Sequence, residues 1–339
     1  MESTEGYLKD DEKKKYTEDD IKYTDKLVEL LEKELSRLSK QDYSRRIFSP
    51  MMHAFLEAEF VVDTNLPQEL RVGLFEKPGE KFVAKMRYAS AYRKNKIIKK
   101  DVRTLAIRVY HKDREINQDF LLGSSPHFRS RTVKQTYLGL KLLFSGGLMI
   151  LLGIIIWPYV ALMALKSRKK TLDLFNIPFY SQTAYTFGNE KTLVKYIVKP
   201  KEEYEFLNYP DYDHPDYLKN VMKKRFHSLQ FGQKVILDVY LQFQTPEDTK
   251  PEDPVVVWNG PLTHVATIRI PKQVFDTKER VQEGQDMEYN VGNSLPEHKY
   301  FGAMNWARHV IYEKLAEYRR NVRERQLKKE SKEKDLKLV

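Results

Sequence analysis

Val235-Ile236-Leu237-Asp238-Val239-Tyr240-Leu241-Gln242-Phe243 decides the fold class of this 339-residue chain. Val235, Leu237, Val239, Leu241 and Phe243 alternate with a mostly polar set, and a period of two marks a strand with one buried face. Runs of the same kind lie on both sides. Residues 192–198 end at Pro200, and 255–258 and 265–270 follow; upstream, 60–62, 70–75, 82–87 and 105–110 are short β-prone runs split by turns. So many separated strands predict a closed or nearly closed antiparallel barrel. Helical periodicity is strongest near the two ends. Thr17-Glu18-Asp19-Asp20 reads as a capping box, and Leu27, Leu30, Leu31, Leu35 and Leu38 then form one apolar stripe to about Lys40. That stripe packs on the main domain or grips a partner. A second helix is expected over 301–324, ahead of a mixed-charge run at 328–334 that reads as solvated.

Composition narrows the chemistry. The chain has no cysteine, which excludes disulfides, thiolate ligation, iron–sulfur clusters and thiol nucleophiles. Its net charge of +11 points to acidic neighbours. Nucleic acid is not expected among them, because there is no zinc-finger spacing, no RNP-type aromatic run and no dense arginine stripe. Gly-rich phosphate loops, metalloprotease helices and nucleophile elbows are absent too. Tyr209-Pro210-Asp211-Tyr212-Asp213-His214-Pro215-Asp216 sets carboxylates beside a histidine, but its two prolines read as a structured surface loop. Met1-Glu2-Ser3-Thr4-Glu5 is acidic and lacks an apolar core, unlike a signal peptide, and it is arginine-poor for a transit peptide.

Between the two strand blocks, residues 142–165 carry no charge and end at Lys166, Arg168, Lys169 and Lys170. As one helix this stretch would extend roughly 36 Å, enough to span a bilayer. Gly146, Gly147, Gly153 and Trp157-Pro158 interrupt it. A single crossing would separate strands that must close one barrel, and the stretch is too short for two crossings. The expectation is a monotopic or re-entrant insertion bent near Gly153 or Trp157-Pro158, or a helix buried against a partner. The chain then divides into a charged tail and amphipathic helix (1–40), the first half of a barrel domain (41–135), a hydrophobic membrane-associating segment (136–172), the second half (173–324) and a charged tail (325–339).

Several segments carry a resemblance in their order along the chain. Ala58-Glu59-Phe60-Val61-Val62 is followed by Leu66-Pro67-Gln68-Glu69-Leu70-Arg71-Val72-Gly73-Leu74-Phe75, Met86-Arg87-Tyr88-Ala89-Ser90 and Gln118-Asp119-Phe120-Leu121. Pro178-Phe179-Tyr180-Ser181-Gln182-Thr183-Ala184-Tyr185-Thr186-Phe187-Gly188 and Leu295-Pro296-Glu297-His298-Lys299-Tyr300-Phe301-Gly302-Ala303-Met304-Asn305 come later. Together, from about Arg46 to Arg319, they resemble the catalase-like haem-protein family, especially its small catalase-related branch. The fold this implies is α+β: an antiparallel barrel of catalase type with flanking helices, here with the hydrophobic segment inserted.

The site follows from Arg308-His309-Val310-Ile311-Tyr312. Residues four apart share a helix face, so Arg308 sits beside Tyr312, and a cation beside a phenol favours the phenolate. The resemblance implies haem b, with Tyr312 as the axial iron ligand and Arg308 as its stabilising neighbour. Arg46, Arg87 and Arg319 fall where family arginines hold the haem and its propionates. His309 is expected to face away from the iron. On the distal side the pattern departs from the family. Its catalytic histidine falls on Ser49, its asparagine falls near Ser124, and His53 matches a second histidine of the small branch. Peroxide dismutation needs a base that takes and returns a proton, and a serine hydroxyl is far from the required pKa. Two readings of different class follow. One is a membrane-associated, catalase-like haem-binding protein with weak or altered hydroperoxide chemistry, acting if active as an oxidoreductase or isomerase. The other is a haem-free accessory or scaffold subunit of a membrane protein complex. Membrane lipid and other subunits are the expected partners.

Overall fold

A computed structural model describes residues 15–38, 46–91, 100–111, 114–146, 153–155, 158–205, 207, 209, 211–248 and 250–337. The acidic start at residues 1–5 lies outside them.

The strand-forming runs build one antiparallel ladder. Its members are β1 (Met51–Val62), β2 (Lys81–Ser90), β3 (Arg103–His111), β4 (Arg114–Gly123), β5 (Phe179–Tyr180), β6 (Tyr185–Phe187), β7 (Asn189–Pro200), β8 (Lys234–Phe243) and β9 (Leu262–Pro271). The order runs β5-β4-β3-β2-β1-β9-β8-β7. β5 then returns to β7 through Phe179↔Val198 and Tyr180↔Ile197, which closes an 8-stranded barrel. β6 lies along the same edge of β7. Closure leaves no long free edge for another chain to pair with. The expected alternation holds in β8, where Val235, Leu237, Val239 and Leu241 are buried in the apolar cluster that includes Phe60, Phe120 and Tyr196.

Two predicted strands are not strands. Residues 70–75 fall in two short 3-10 turns, Gln68–Leu70 and Gly73–Phe75, which still bury Leu70, Leu74 and Phe75. Gly73 sits at φ +53° with the His298 ring against it, a place with no room for a side chain. Residues 255–258 form a loop because both edges of β8 are already taken by β7 and β9. Side chains serve its carbonyls instead: Lys195 Nζ donates to Val256 O at 2.8 Å and Gln242 Nε2 to Trp258 O at 3.0 Å.

Among the described residues, six helices flank the barrel: α1 (Glu18–Leu38), α2 (Val133–Ser145), α3 (Pro158–Lys166), α4 (Tyr217–Ser228), α5 (Lys278–Asp286) and α6 (Ala303–Lys337). The capping box is present. Asp20 N donates to Thr17 Oγ1, and Thr17 N donates back to the Asp20 carboxylate, both at 3.1 Å. Leu27, Val28, Leu31 and Leu35 bury the α1 stripe against Trp306, Val310 and Ile311 of α6, so the stripe packs on its own domain. α6 runs through the run expected to be solvated coil. Residues 321–337 contain no Gly or Pro, and little opposes their continuing the helix.

The apolar segment is not one helix. α2 ends before Gly146 at φ +68°, a helical turn occupies 153–155, and α3 opens at Pro158. Gly153 packs on α2 so tightly that a Cβ there would lie 2.7 Å from Leu142 Cδ1. The chain therefore doubles back on itself. Among the described residues no helix is long and apolar enough to cross a membrane. The described residues thus break between α2 and α3, near Gly153, rather than running as one roughly 36 Å helix, and Trp157 lies outside them.

Candidate functional site

α6 carries Arg308, Tyr312 and Arg319; Arg319 lies within electrostatic reach of Arg87 of β2 and of Arg46 from the segment before β1, while Phe48 of that segment meets Tyr312. Arg308 is buried, with its guanidinium 5.8 Å from the centre of the Tyr312 ring. It donates to Thr183 Oγ1 at 3.1 Å and Asn305 Oδ1 at 2.9 Å. Its Nε has no hydrogen-bond partner. Burial pulls the Arg308 pKa down, but the Tyr312 and Tyr185 phenols outweigh it and leave the pKa raised. Phe48 meets the Tyr312 ring edge-on at 6.0 Å. Arg308 thus has two neutral acceptors, two phenols and no carboxylate partner among the described residues.

Arg46, Arg87 and Arg319 converge. Arg46 is held well below the usual guanidinium range, first by burial and then by the Arg319 and Arg87 charges. Arg87 is brought down to about 10 by burial, which with the Arg319 charge outweighs the raising effect of Tyr289. Arg319 is also lowered, chiefly by burial. The end of α5 supplies much of their bonding. Arg46 Nη2 donates to Gln285 O at 2.9 Å and to Met287 O, and Arg87 Nε donates to Gly284 O at 3.2 Å. The last carbonyls of a helix lack helical partners and carry partial negative charge, so they suit this role. Gly284 makes the close approach possible, since a Cβ there would be 2.7 Å from Met52 Sδ and Phe55 Cβ. Arg87 Nη1 donates to Ser49 O at 3.1 Å, and its buried Nη2 has no partner. Glu288, 4.0 Å from Arg319, also pairs with Arg320.

The predicted distal residues are brought near one another by β2 and β3. Ser49, in a left-handed backbone conformation at φ +50°, accepts from Thr104 Oγ1 at 2.8 Å. His53 is the extra residue of a β1 bulge, and its Nε2 lies 2.6 Å from Ser90 Oγ. Arg103 Nη1 donates to the same Ser90 Oγ at 2.5 Å and pairs with Asp101 at 3.2 Å. Ser124 Oγ accepts from Arg103 N at 3.0 Å. Burial, then the Arg103 and Arg87 charges, hold His53 at about 3. Ser49, His53 and Ser124 therefore each have a protein partner. His309 turns to the loop after α5, with Nδ1 3.0 Å from Asn290 Oδ1.

Sequence reading missed Ser90, Asp101, Arg103 and Thr104 as members of this set. Asp101 and Arg103 did leave a signal, because a carboxylate two residues from an arginine in extended chain can share its face; Asp101 sits in a bridge just ahead of β3. The α5 carbonyls left none, since a backbone acceptor is invisible in side-chain patterns.

No protein-family model and no curated protein sequence matches the chain. Among solved structures it is similar to catalase A from Saccharomyces cerevisiae, with 16% identity and a TM-score of 0.67 over 84% of this chain and 63% of that one. A fungal catalase is similar at 15% identity and TM-score 0.67, over 84% of this chain and 61% of that one. A bacterial catalase follows at 17% and 0.61, over 84% and 59%. The chain thus spans about three fifths of the length of these catalases. At such identities the likeness is one of fold, and the chain carries the catalase-like fold.

Proposed function

We propose that this chain binds haem on its α6 side and lacks the proton shuttle of an efficient catalase. The observation that carries this reading is unbalanced buried positive charge. Burial lowers Arg46, Arg87 and Arg319, the Arg319 charge adds to this at Arg46 and Arg87, and the buried Arg87 Nη2 and Arg308 Nε have no hydrogen-bond partner. Buried cations are costly unless an anion or full hydrogen bonding compensates them. The donor set fits haem at both ends. Tyr312 would offer its phenol oxygen as a ligand beside Arg308, and the carboxylates of a bound haem would meet the arginine group and give Arg87 Nη2 an acceptor. Bound haem would supply a redox-active iron for hydroperoxides.

The chain's own residues limit the reaction. A base that titrates at about 3 has little drive to take a proton at neutral pH, and His53 is already bonded to Ser90. Ser49 and Ser124 supply hydroxyls only. Loss of general acid–base help costs roughly 10²–10⁴-fold in rate. The expected activity is weak or altered hydroperoxide chemistry, as a haem-dependent oxidoreductase or isomerase. One observation favours the haem-free accessory subunit instead: Arg46 and Arg87 already donate to the carbonyls of Gln285, Met287, Gly284 and Ser49.

Expression with haem supplied, followed by haem extraction and a peroxide-turnover assay, tests the reading. One haem per chain with slow turnover is expected. Folded protein without haem would overturn the binding, and rapid dismutation would overturn the account of the distal side.

A further inference from the structure

Half of the large apolar side chains exposed among the described residues lie in the α2–α3 protrusion: Leu143, Ile154, Ile155, Tyr159, Leu162 and Leu165, with Ile155 at 74% and Leu165 at 62%. Its described parts are tied to one another and to the barrel. Gly153 packs on Leu142, and its returning end is tied to the barrel by paired backbone bonds between Lys169 and Asp101 at 3.0 and 3.1 Å. Arg131 stacks on Tyr159 at 4.9 Å and pairs with Asp253 at 3.4 Å, holding the start of α3 as well.

Charge identifies what this surface meets. Residues 120–172 contain eight Lys and Arg and no Asp or Glu, although the whole chain mixes 59 basic with 48 acidic residues. Lys141, Lys166, Lys169 and Lys170 flank the apolar stretch and are exposed. Two copies meeting at this face would oppose cation to cation with no carboxylate from this segment to relieve them. A phospholipid surface supplies an acyl boundary for the apolar side chains and phosphates for the lysines.

We propose that the hairpin docks in the plane of a bilayer face rich in anionic phospholipid, with Ile154, Ile155, Leu162 and Leu165 entering the acyl boundary and the flanking lysines on the head groups. It needs no helix long enough to cross, and it stands independently of the haem reading.

Sedimentation of the full chain with phosphatidylcholine vesicles, with and without 30 mol % phosphatidylserine, tests it. The expected preference for anionic vesicles is at least about 10-fold and is released by 0.5 M salt. Lys166→Glu/Lys169→Glu/Lys170→Glu, exposed positions with little bearing on folding, should lose that preference, and Ile155→Asp/Leu165→Asp should lose binding to both, with melting curves unchanged. Equal binding to neutral vesicles, or folded protein that stays in the supernatant, would overturn the proposal. So would a vesicle-free dimer in sedimentation velocity that Ile155→Asp/Leu165→Asp dissolves, because a second copy would then cover the face.

Discussion

On the α6 side of the candidate site, Arg308, Arg319, Arg87 and Arg46 have phenols, neutral oxygens and a shared Glu288 as partners, with Asp286 also near Arg319. On the β2–β3 side, Asp101, Arg103, Ser90, His53 and Ser124 form one connected set, with Thr104 bonding Ser49 beside it. The first region retains positive charge that invites an anion. The second has joined its polar groups to one another, and His53, held at about 3 and bonded to Ser90, is a poor base at neutral pH. On the proposed reading, holding a cofactor and turning it over would be separable properties of one barrel. Groups kept for a ligand weaken the bare protein, whereas groups bonded to each other strengthen it.

Mutations can break or sharpen this contrast. The largest effect belongs to the β2–β3 side. Asp101→Ala leaves Arg103 buried without its carboxylate and should cost about 3–5 kcal/mol in urea unfolding. A cost near zero would mean that the network is not a structural unit. Next comes pH. His53 titrates at about 3 in the folded chain, against an ordinary 6.5 when unfolded. Above 6.5 both states are neutral and the group is silent. As pH falls below 6.5 the unfolded chain takes up a proton that the folded chain refuses, so stability drops, and the loss is complete below 3. Between pH 6.5 and 5 this one histidine should cost about 2 kcal/mol, and His53→Gln should cut the histidine-driven fall in that range to about half. His298, held at about 4 by burial, leaves a residual slope of the same sign.

Smaller effects test the other side. Thr17→Ala removes the cap of the helix that packs on α6 and should cost about 1 kcal/mol, with no change in haem content. A loss of haem would tie the cofactor to α1. Smallest of all, Arg319→Met in haem-free protein should leave stability unchanged or raise it by up to about 1 kcal/mol, while weakening haem at least about 10-fold. A clear destabilisation would mean that the arginines are structural.

Much of the fold was legible because alternation survives burial, as in β8. A closed or nearly closed barrel was expected from the number of strands, but which strands close it was not legible, since closure rests on the two residues of β5, too short to show any period. Residues 70–75 and 255–258 show the converse: β-prone residues bury well in turns and loops when no strand edge is free to take them. In the site, Arg308 and Tyr312 were legible from their spacing on one helix. The convergence of Arg46, Arg87 and Arg319 was not local, because it depends on three distant segments meeting. On the distal side the absence of a histidine at Ser49 was visible, but the bonds replacing it run through Ser90 and Arg103 across strands.

The central claim is that the α6 side holds haem through Tyr312. The most direct measurement is the absorption spectrum of chain expressed with haem, beside that of Tyr312→Phe. A Soret band in the parent, lost in the variant while circular dichroism stays the same, is the predicted result. A band that survives Tyr312→Phe unchanged, or no band from folded parent protein, would contradict it.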